Sequence, residues 1–452
     1  MAQNVKDSTD MIHGSIARSI LLFSIPLLVG NFFQQLYNTV DAYVVGNYVN
    51  TSALAAVGAT GPLCFLVLGF FFGFSSGVTV VTAQRFGAKD ARGVRRSIAM
   101  ATTLCTAISA AATIGSVILT GPLLRLMNTP EDIFDGSYAY LVVIFIGIGA
   151  TVFYNLISGI IRALGDSRTP LIFLIIASIL NIVLDFIFIL WFGMGVAGAA
   201  WATVISQLAS GVWCLQFARR KYSQFQLKRQ DWRFDWNFAW EHLRIALPMA
   251  FQFSITAVGV IVMQTVLNTF GSTAVAAFTA AAKIDQLAVQ PGFSIGIAIA
   301  TYAAQNYGAG LYRRIREGVN KCSLLSTVFA ILMGAAVIVF CPQFTRLFVG
   351  DGHPEVIPLV RTYMLTNGSC YVILGLLFVY RNALQGIGRA FVPMMAGASE
   401  LVVRTVAAPV LGGAIGYVGV CLSNPLAWVG ATIPLAIAYF WVIKRLTGRC
   451  IG

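Results

Sequence analysis

One ordered set of short motifs occurs twice along the chain, and this repeat limits the folds that the chain can adopt. Residues 82–88 (Thr-Ala-Gln-Arg-Phe-Gly-Ala) return as residues 303–309 (Ala-Ala-Gln-Asn-Tyr-Gly-Ala). The same number of residues separates Gln84 from Gln305 and Gly195 from Gly416. A register that is kept between the two halves of the chain indicates two copies of one structural unit.

The composition places both copies in a membrane. Hydrophobic residues make up 58% of the chain and charged residues only 10%, which is typical of a protein solvated by lipid. Twelve apolar runs are long enough to cross about 30 Å of hydrocarbon as helices. They lie near 20–46, 53–83, 97–119, 137–161, 169–191, 195–217, 243–267, 274–304, 322–341, 359–380, 392–411 and 420–443. We predict an all-α polytopic membrane protein with twelve transmembrane helices in two pseudo-symmetric bundles of six.

A polar linker at 221–239 joins the two predicted lobes, which comprise residues 1–220 and 240–452. Because each lobe has an even number of helices, both lobes enter the membrane from the same side and the repeat is parallel. Trp232, Trp236 and Trp240 are spaced by four residues around the end of the linker. This spacing predicts an interfacial amphipathic helix whose aromatic rings rest at the level of the lipid headgroups.

The formal net charge of +13 reports membrane topology rather than an acidic partner. Most of the 30 Lys and Arg residues fall on one face of the membrane, and they include Lys6, the 85–96 cluster, Arg381 and Arg389. By the positive-inside rule this face is cytoplasmic, and so are both chain termini. We therefore predict the lipid bilayer as a partner and no nucleic-acid partner.

Four carboxylates fall inside predicted spans: Asp41, Asp185, Asp285 and Glu400. One unpaired charge at the centre of a bilayer costs about 2.5–3.5 kcal/mol on the insertion scale, so four would cost on the order of 10 kcal/mol. Each of these side chains therefore needs a partner that neutralises it.

The second half of the chain supplies basic side chains within its own spans. Glu400 and Arg404 are four residues apart on one helix face, which predicts a structural ion pair. Lys283 and Asp285 are only two residues apart, so they point to different sides of their helix and do not pair along it. Lys283 shares a polar stripe with Gln286, and we consider it a candidate substrate-lining residue.

The first half has two membrane aspartates and no membrane base. Asp41 lies on a polar face of the first helix, Asn181 and Asp185 share a face of the fifth, and Thr203 belongs to a polar stripe on the sixth. Hydrogen bonds between helices explain the hydroxyl and amide groups but not two unpaired acids. We predict that Asp41, Asp185, Asn181 and Thr203 bind a cation. A proton on a buried carboxyl and a Na⁺ ion held by oxygen ligands both remain open.

Three further residues on the first helix, Gln34, Tyr37 and Asn38, are candidate substrate-lining residues. Pro26 is a candidate hinge, because proline removes one backbone hydrogen bond and bends a helix, although a static kink is the alternative. The sequence contains neither a nucleophile beside a base nor a histidine cluster. We therefore predict that the protein is not an enzyme and needs no cofactor or metal beyond its coupling ion, H⁺ or Na⁺.

Three motifs together resemble the MATE family of multidrug and toxic compound exporters. They are an aspartate on the first helix, Asn-x-x-x-Asp on the fifth and Gly-Ala-x-x-Ala-Thr on the sixth, and here they are Asp41, residues 181–185 and residues 198–203. The resemblance covers nearly the whole chain. It implies two lobes in a V that alternate between inward-open and outward-open states and exchange H⁺ or Na⁺ for an exported compound. One branch of the family also uses acids on helices 7 and 10, which this chain lacks, so the resemblance favours the DinF-like branch.

We accordingly expect a monomeric antiporter in the cytoplasmic membrane of a bacterium that exports amphipathic, cationic organic compounds. The alternative is a flippase for lipid-linked oligosaccharides from the same superfamily. Such flippases place several cationic side chains in a central cavity, whereas only Lys283 and Arg404 lie away from the ends of the predicted spans here.

Overall fold

The computed structural model describes residues 11–349 and 355–448, most of which lie in sixteen α-helices. The helices are α1 (Ile16–Tyr48), α2 (Thr51–Gly87), α3 (Ala91–Leu126), α4 (Glu131–Ile146), α5 (Ile148–Ala163), α6 (Arg168–Phe186), α7 (Gly195–Lys221), α8 (Trp236–Asn268), α9 (Ser272–Ala288), α10 (Gln290–Gly308), α11 (Tyr312–Val339), α12 (Cys341–Val349), α13 (Val356–Tyr363), α14 (Tyr371–Gly386), α15 (Phe391–Ile415) and α16 (Tyr417–Gly448). Lys6 and both chain termini, which we predict to be cytoplasmic, fall outside the described residues.

Nine of the described helices are long and apolar enough to span a membrane, and three bent pairs raise this number to as many as twelve. The pairs are α4 with α5, α9 with α10, and α13 with α14, and their bends are 46°, 43° and 48°. The predicted all-α architecture is confirmed, but three predicted single spans are broken. In the second pair, Pro291 stands in the first turn of α10, where a proline is tolerated because no helical hydrogen bond is lost.

The chain packs into two compact units, which we call unit 1 and unit 2. Unit 1 contains Val29–Ala250, and unit 2 contains Phe251–Gly452 together with Asp10–Leu28, in each case as far as these residues are described. The predicted lobes follow the sequence repeat. The packing units differ from these lobes, because the first turns of α1 belong to unit 2 and the first turns of α8 belong to unit 1. Each of these helices is long enough to begin in one unit and continue in the other.

Apolar burial explains the exchange. Ile20 and Phe23 on α1 have no exposed surface and belong to the apolar core of unit 2, together with Tyr302. Ala246 and Ala250 on α8 belong to the core of unit 1. Between membrane helices, van der Waals packing rather than removal from water favours such contacts, so each segment stays with the core that its side chains fill.

Two pairs of glycines show that the sequence repeat is also a repeat of backbone conformation. Gly165 and Gly388 have φ angles of 92° and 85°, and Gly195 and Gly416 have φ angles of 57° and 67°. These left-handed conformations favour glycine because it has no Cβ atom. Equivalent turns therefore precede equivalent helices in the two copies.

Asp166 fixes the turn that leads into α6. Its Oδ1 accepts the backbone N–H groups of Arg168 and Thr169 at 2.9 and 3.0 Å. Its Oδ2 accepts from the Thr169 hydroxyl at 2.6 Å, from Lys221 Nζ at 3.2 Å and from the Tyr222 hydroxyl. Burial alone would raise the pKa of Asp166, but the hydrogen bonds from Thr169 and Tyr222 and the charge of Lys221 hold it below its ordinary value. The start of α6 is thereby tied to the end of α7.

Candidate functional site

Asp41 on α1 and Asp185 on α6 lie against each other in unit 1, with their carboxyl groups within hydrogen-bonding reach. Asp185 has no exposed surface, while Asp41 is partly exposed. Within the described part of the chain, neither oxygen of Asp185 nor Oδ1 of Asp41 receives a hydrogen bond. Two ionised carboxylates in contact repel each other, so the pair needs a proton or another cation between its oxygens.

Asn181 and Thr203 lie next to this pair. Asn181 is one helical turn before Asp185 on α6 and is buried. Its Nδ2 lies 3.4 Å from Thr203 Oγ1 on α7, and the Thr203 hydroxyl donates to the carbonyl of Ala199 at 3.1 Å. The Asn181 Oδ1 has no donor among the residues that the structure describes. The structure therefore brings all four of the residues predicted to bind a cation into one region of unit 1.

Gln207 extends the same polar group on α7. It lies one helical turn after Thr203, and its buried Oε1 also lacks a donor within the described ranges. The hydroxyl of Tyr37 is within hydrogen-bonding reach of both Gln207 and Gln34. Because Tyr37 precedes Asp41 by one turn of α1, this contact continues the polar group along that helix.

The predicted substrate-lining residues of α1 lie at the edge of this group. Gln34 and Asn38 are exposed, and Tyr37 is partly exposed. Tyr140 on α4 lies close to both Asp41 and Asp185. Sequence reasoning missed Tyr140, because one aromatic residue inside an apolar span produces no polar periodicity.

A π-helical turn, Ile187–Trp191, begins two residues after Asp185 and extends α6. Such turns insert one extra residue into the helical repeat, which changes the direction of the side chains beside them, and they are frequent at functional sites. The turn separates Asp185 from the loop that leads to Gly195 and α7. In this protein the π-helical turn lies beside Asp185, whose carboxylate has no donor among the described residues.

The chemistry of the site follows from its excess of acceptors. Buried oxygens of Asp41, Asp185, Asn181 and Gln207 lack donors in the described structure, and an unsatisfied buried polar group costs about 1–3 kcal/mol. A proton shared by the two carboxyls would relieve their repulsion. A Na⁺ ion, as a hard cation, would find carboxylate, amide and hydroxyl oxygens, which are the ligands that such ions prefer.

The acid of α9 in unit 2 has donors of its own. The hydroxyl of Tyr371 donates to Asp285 Oδ1 at 2.6 Å, and the Tyr363 hydroxyl is also within reach. Lys283, two residues earlier, is exposed. Lys283 has no carboxylate within 4.0 Å in the part of the chain that the structure describes.

Glu400 is shared by two arginines. Its Oε2 lies 3.5 Å from Arg404 on the same helix, and its Oε1 accepts a hydrogen bond from Arg381 on α14. Arg381 follows a predicted span, but α14 continues to Gly386, and only 8% of Arg381 is exposed. Its placement on the cytoplasmic face stays a prediction. Arg404 also donates from Nε to Asn424 Oδ1 at 3.2 Å. The predicted pair thus makes up two of the three charges of a buried group.

Pro26 lies inside the continuous helix α1 and is buried. It stands two residues before Leu28, where the contribution of α1 to unit 2 ends, and Pro248 stands two residues before the corresponding end on α8. A proline leaves one backbone carbonyl without its helical donor at each place. The role of Pro26 as a hinge stays a prediction.

Known proteins share both the repeat and the fold. The sequence profile of the MatE family matches the chain twice, at residues 26–187 and 248–410. The probable multidrug resistance protein YpnP of Bacillus subtilis is 30% identical to this chain over 84% of each protein. The FAD transporter of Shewanella oneidensis is 24% identical over 98% of this chain and 97% of its own length.

A solved structure extends this likeness to the whole backbone. The outward-facing conformation of a multidrug resistance MATE family transporter of the MOP superfamily matches the fold with a TM-score of 0.90. The match covers 99% of both chains at 23% identity. The double profile match, the similarity to the Bacillus protein and the helical architecture lead to one assignment: the chain belongs to the MATE family of multi-pass membrane transporters.

Proposed function

We propose that this protein is a cation-coupled antiporter that exports amphipathic organic cations across the cytoplasmic membrane of a bacterium. In this proposal it works as a monomer with both termini in the cytoplasm, uses no cofactor and binds no nucleic acid. The coupling ion is H⁺ or Na⁺, and it binds at Asp41 and Asp185 with oxygens from Asn181 and Thr203. We assign the chain to the DinF-like branch, because this ion site lies in the first half.

The observation that carries the proposal is the contact between Asp41 and Asp185 in unit 1, where both oxygens of Asp185 and Oδ1 of Asp41 have no donor among the described residues. A permanent structural group would be expected to have its donors built in, as Glu400 does. Acceptors that are left without donors suit a cation that binds and leaves. The bilayer makes the binding strong, because an unpaired charge there is costly.

Exchange follows from competition for the same negative charge. When Asp41 and Asp185 are ionised, the polar face of α1 attracts an organic cation at Gln34, Tyr37 and Asn38. When a proton or Na⁺ neutralises the acids, this attraction disappears and the organic cation is released. A transporter couples two ligands when each one changes the affinity for the other. Bending of α1 at Pro26 would connect the two loading states to the two access states.

The experiment is export of ethidium from proteoliposomes, with a pH gradient and a Na⁺ gradient imposed separately. Gradient-driven export by the parent, and its loss in Asp41→Asn, would support the proposal and identify the ion. Glu317→Gln is the matched control, because this carboxylate is exposed and its ion-pair partner in the described structure is Arg313, four residues away. Export by a folded Asp41→Asn protein at the parental rate would refute the assignment.

An exporter of anionic compounds is a second candidate, and the exposed side chain of Lys283 favours it. A cation in the middle of a predicted span that is exposed and has no carboxylate partner in the described structure could attract a carboxylate or a phosphate. A similar protein from Shewanella oneidensis is an FAD transporter. Adding FAD to the assay separates the two candidates, since Lys283→Gln would reduce export of FAD but not of ethidium.

The family match favours export over flipping of lipid-linked oligosaccharides. The charges of unit 2 agree with this preference. Arg381 and Arg404 are both paired with Glu400 and buried. Of the three basic side chains, Lys283 is the exposed one. A pyrophosphate group would require several such cations together.

A further inference from the structure

The segment between α7 and α8, which we call the connector (residues 222–241, including the first turns of α8), carries two contrasting faces. It contains two 3₁₀ turns, Ser223–Phe225 and Arg229–Trp232, rather than the amphipathic helix that the tryptophan spacing predicts. Because α7 and α8 are both membrane spans, their ends hold the connector at the surface of the bilayer.

All three acids of the connector face inward, toward the α2–α3 turn. Asp231 lies 3.4 Å from Arg95, and Asp235 lies 2.6 Å from Arg96. Glu241 accepts two hydrogen bonds from Arg85, at 2.9 and 2.8 Å. The acids of the connector are thus neutralised by arginines of its own unit.

Phe238 strengthens the same inner face. Its ring lies 5.7 Å from the guanidinium carbon of Arg85 and 4.7 Å from that of Arg96, which are cation–π distances. One turn after Phe238 on α8, the Nε2 atom of His242 lies 2.9 Å from the Ser97 hydroxyl on α3. These contacts fix the connector in one orientation.

The basic side chains of the connector lie at its exposed surface, which we call its outer face. Lys228, Arg229 and Arg233 are all exposed. None of the three has a carboxylate within 4.0 Å in the described ranges. The outer face therefore keeps its full positive charge, although the connector as a whole contains three acids.

Four large aromatic side chains of the connector are also exposed. Trp232, Phe234, Trp236 and Trp240 are 48%, 56%, 64% and 55% exposed. Tryptophan beside arginine and lysine is characteristic of segments that rest at the headgroup level of a bilayer, with the rings among the upper acyl chains and the cations among the phosphates.

We propose that the outer face of the connector is a binding surface for anionic phospholipids. Lys228, Arg229 and Arg233 attract negatively charged headgroups, and the aromatic side chains anchor the segment at the depth where those headgroups lie. The inward pairing of Asp231 and Asp235 makes this possible, because no acid of the connector opposes the lipid charge. The proposal concerns lipid recognition and does not depend on which ion or substrate is transported.

The test measures the lipids that stay bound when the purified protein is transferred from mixed vesicles of phosphatidylglycerol and phosphatidylethanolamine into the gas phase for native mass spectrometry. The parent should retain phosphatidylglycerol preferentially. Arg229→Gln/Arg233→Gln should lower this preference roughly tenfold, because each basic residue near an anionic surface contributes measurably to lipid attraction. Arg229→Lys/Arg233→Lys should keep it, since charge is retained.

The control variant is Arg125→Gln/Arg361→Gln, which removes two exposed arginines at the ends of α3 and α13, outside the basic clusters of the predicted cytoplasmic face. It should retain the parental preference. In the parent itself, high salt in the vesicle buffer should weaken the preference, which keeps the test informative even if a variant fails to fold. A glutamine variant that retains phosphatidylglycerol like the parent, or a control that loses it equally, overturns the proposal.

Discussion

Unit 1 and unit 2 contain copies of one repeat, yet their membrane acids have opposite surroundings. In unit 1, Asp41 and Asp185 contact each other, and Asp185 has no donor among the described residues. In unit 2, the acid of α9 accepts from Tyr371, and Glu400 lies between two arginines. In our proposal the first arrangement binds a cation that is not part of the protein, whereas Glu400 in the second is paired with cations of the chain itself.

The register of the repeat shows how this difference arose in the sequence. Counted from the equivalent Pro170 and Pro393, Arg404 occupies the place of Asn181, and Ala408 occupies that of Asp185. Counted from Pro26 and Pro248, a methionine occupies the place of Asp41. A guanidinium is permanently charged and cannot leave. One copy thus has a permanent cation at the position where the other has the amide of Asn181.

Among the tests of this comparison, Glu400→Gln should have the largest effect on stability. This change leaves two buried arginines without their carboxylate, and removing one partner of a buried ion pair costs about 3–5 kcal/mol. We expect a large fall in the melting temperature of the purified protein, measured in detergent. Glu317→Gln is the exposed control and should change the stability by at most about 1 kcal/mol. A Glu400→Gln protein that melts like the parent would mean that the arginines have other partners.

Tyr371→Phe tests whether the hydrogen bond from this hydroxyl to Asp285 on α9 stabilises the protein. The 2.6 Å hydrogen bond links a hydroxyl to a carboxylate, and hydrogen bonds to charged groups contribute about 1.5–3 kcal/mol. The melting temperature should fall, while gradient-driven transport continues. Tyr138→Phe, at an exposed tyrosine, is the matched control. Loss of transport without loss of stability would instead place this acid in the transport cycle.

Asp185→Asn should have the opposite effect on stability. The substitution removes a buried negative charge that faces Asp41 and adds an N–H donor beside orphaned acceptors. We expect the unfolding free energy to stay level or rise by about 1 kcal/mol. The measurement is thermal unfolding of the purified variant beside the parent. A fall in stability as large as that of Glu400→Gln would show that Asp185 has structural partners.

A smaller difference between the two copies concerns stability at low pH. One copy has the carboxylate of Asp166 where the other has Arg389. Folding lowers the pKa of Asp166, through the contacts that outweigh its burial. Its stabilisation is therefore present above the unfolded-state value of about 3.9 and is lost as the pH falls below it, through the folded-state pKa. Asp166→Asn should destabilise the protein by about 1 kcal/mol at neutral pH.

The measurement for this last difference is the melting temperature across an acid titration. Parent and Asp166→Asn should converge as the pH falls below about 4. Arg389→Gln serves as the comparison, because an arginine does not titrate in this range. A constant gap between parent and Asp166→Asn at every pH would contradict the account.

The sequence was sufficient to predict the parts of the fold that repeat. The paired motifs and the twelve apolar runs predict two sets of helices, and the polar faces predict which side chains of α1, α6 and α7 meet. Hydropathy does not reveal where a span bends, because the breaks at Gly147 and Val289 lie inside continuous apolar runs. The amphipathic helix predicted from the spacing of the linker tryptophans was also wrong, since a spacing of four does not require a continuous helix.

The partners of the membrane acids were the least predictable part of the site. Arg381 follows the predicted end of a span, so sequence reasoning did not pair it with a membrane acid, whereas α14 continues to Gly386 and the buried guanidinium donates to Glu400. Tyr140 and Tyr371 approach the acids across helices. Contacts between residues so distant in sequence depend on tertiary packing, which leaves no local pattern.

The most direct test of the account is gradient-driven export of ethidium by reconstituted Asp185→Asn and Asp285→Asn proteins, at matched amounts and with the coupling gradient that drives the parent. Both substitutions remove one membrane acid and keep the shape of the side chain. The account predicts that Asp185→Asn loses export and that Asp285→Asn keeps most of the parental rate. Export retained by Asp185→Asn and lost by Asp285→Asn would place the coupling ion in unit 2 and contradict the account.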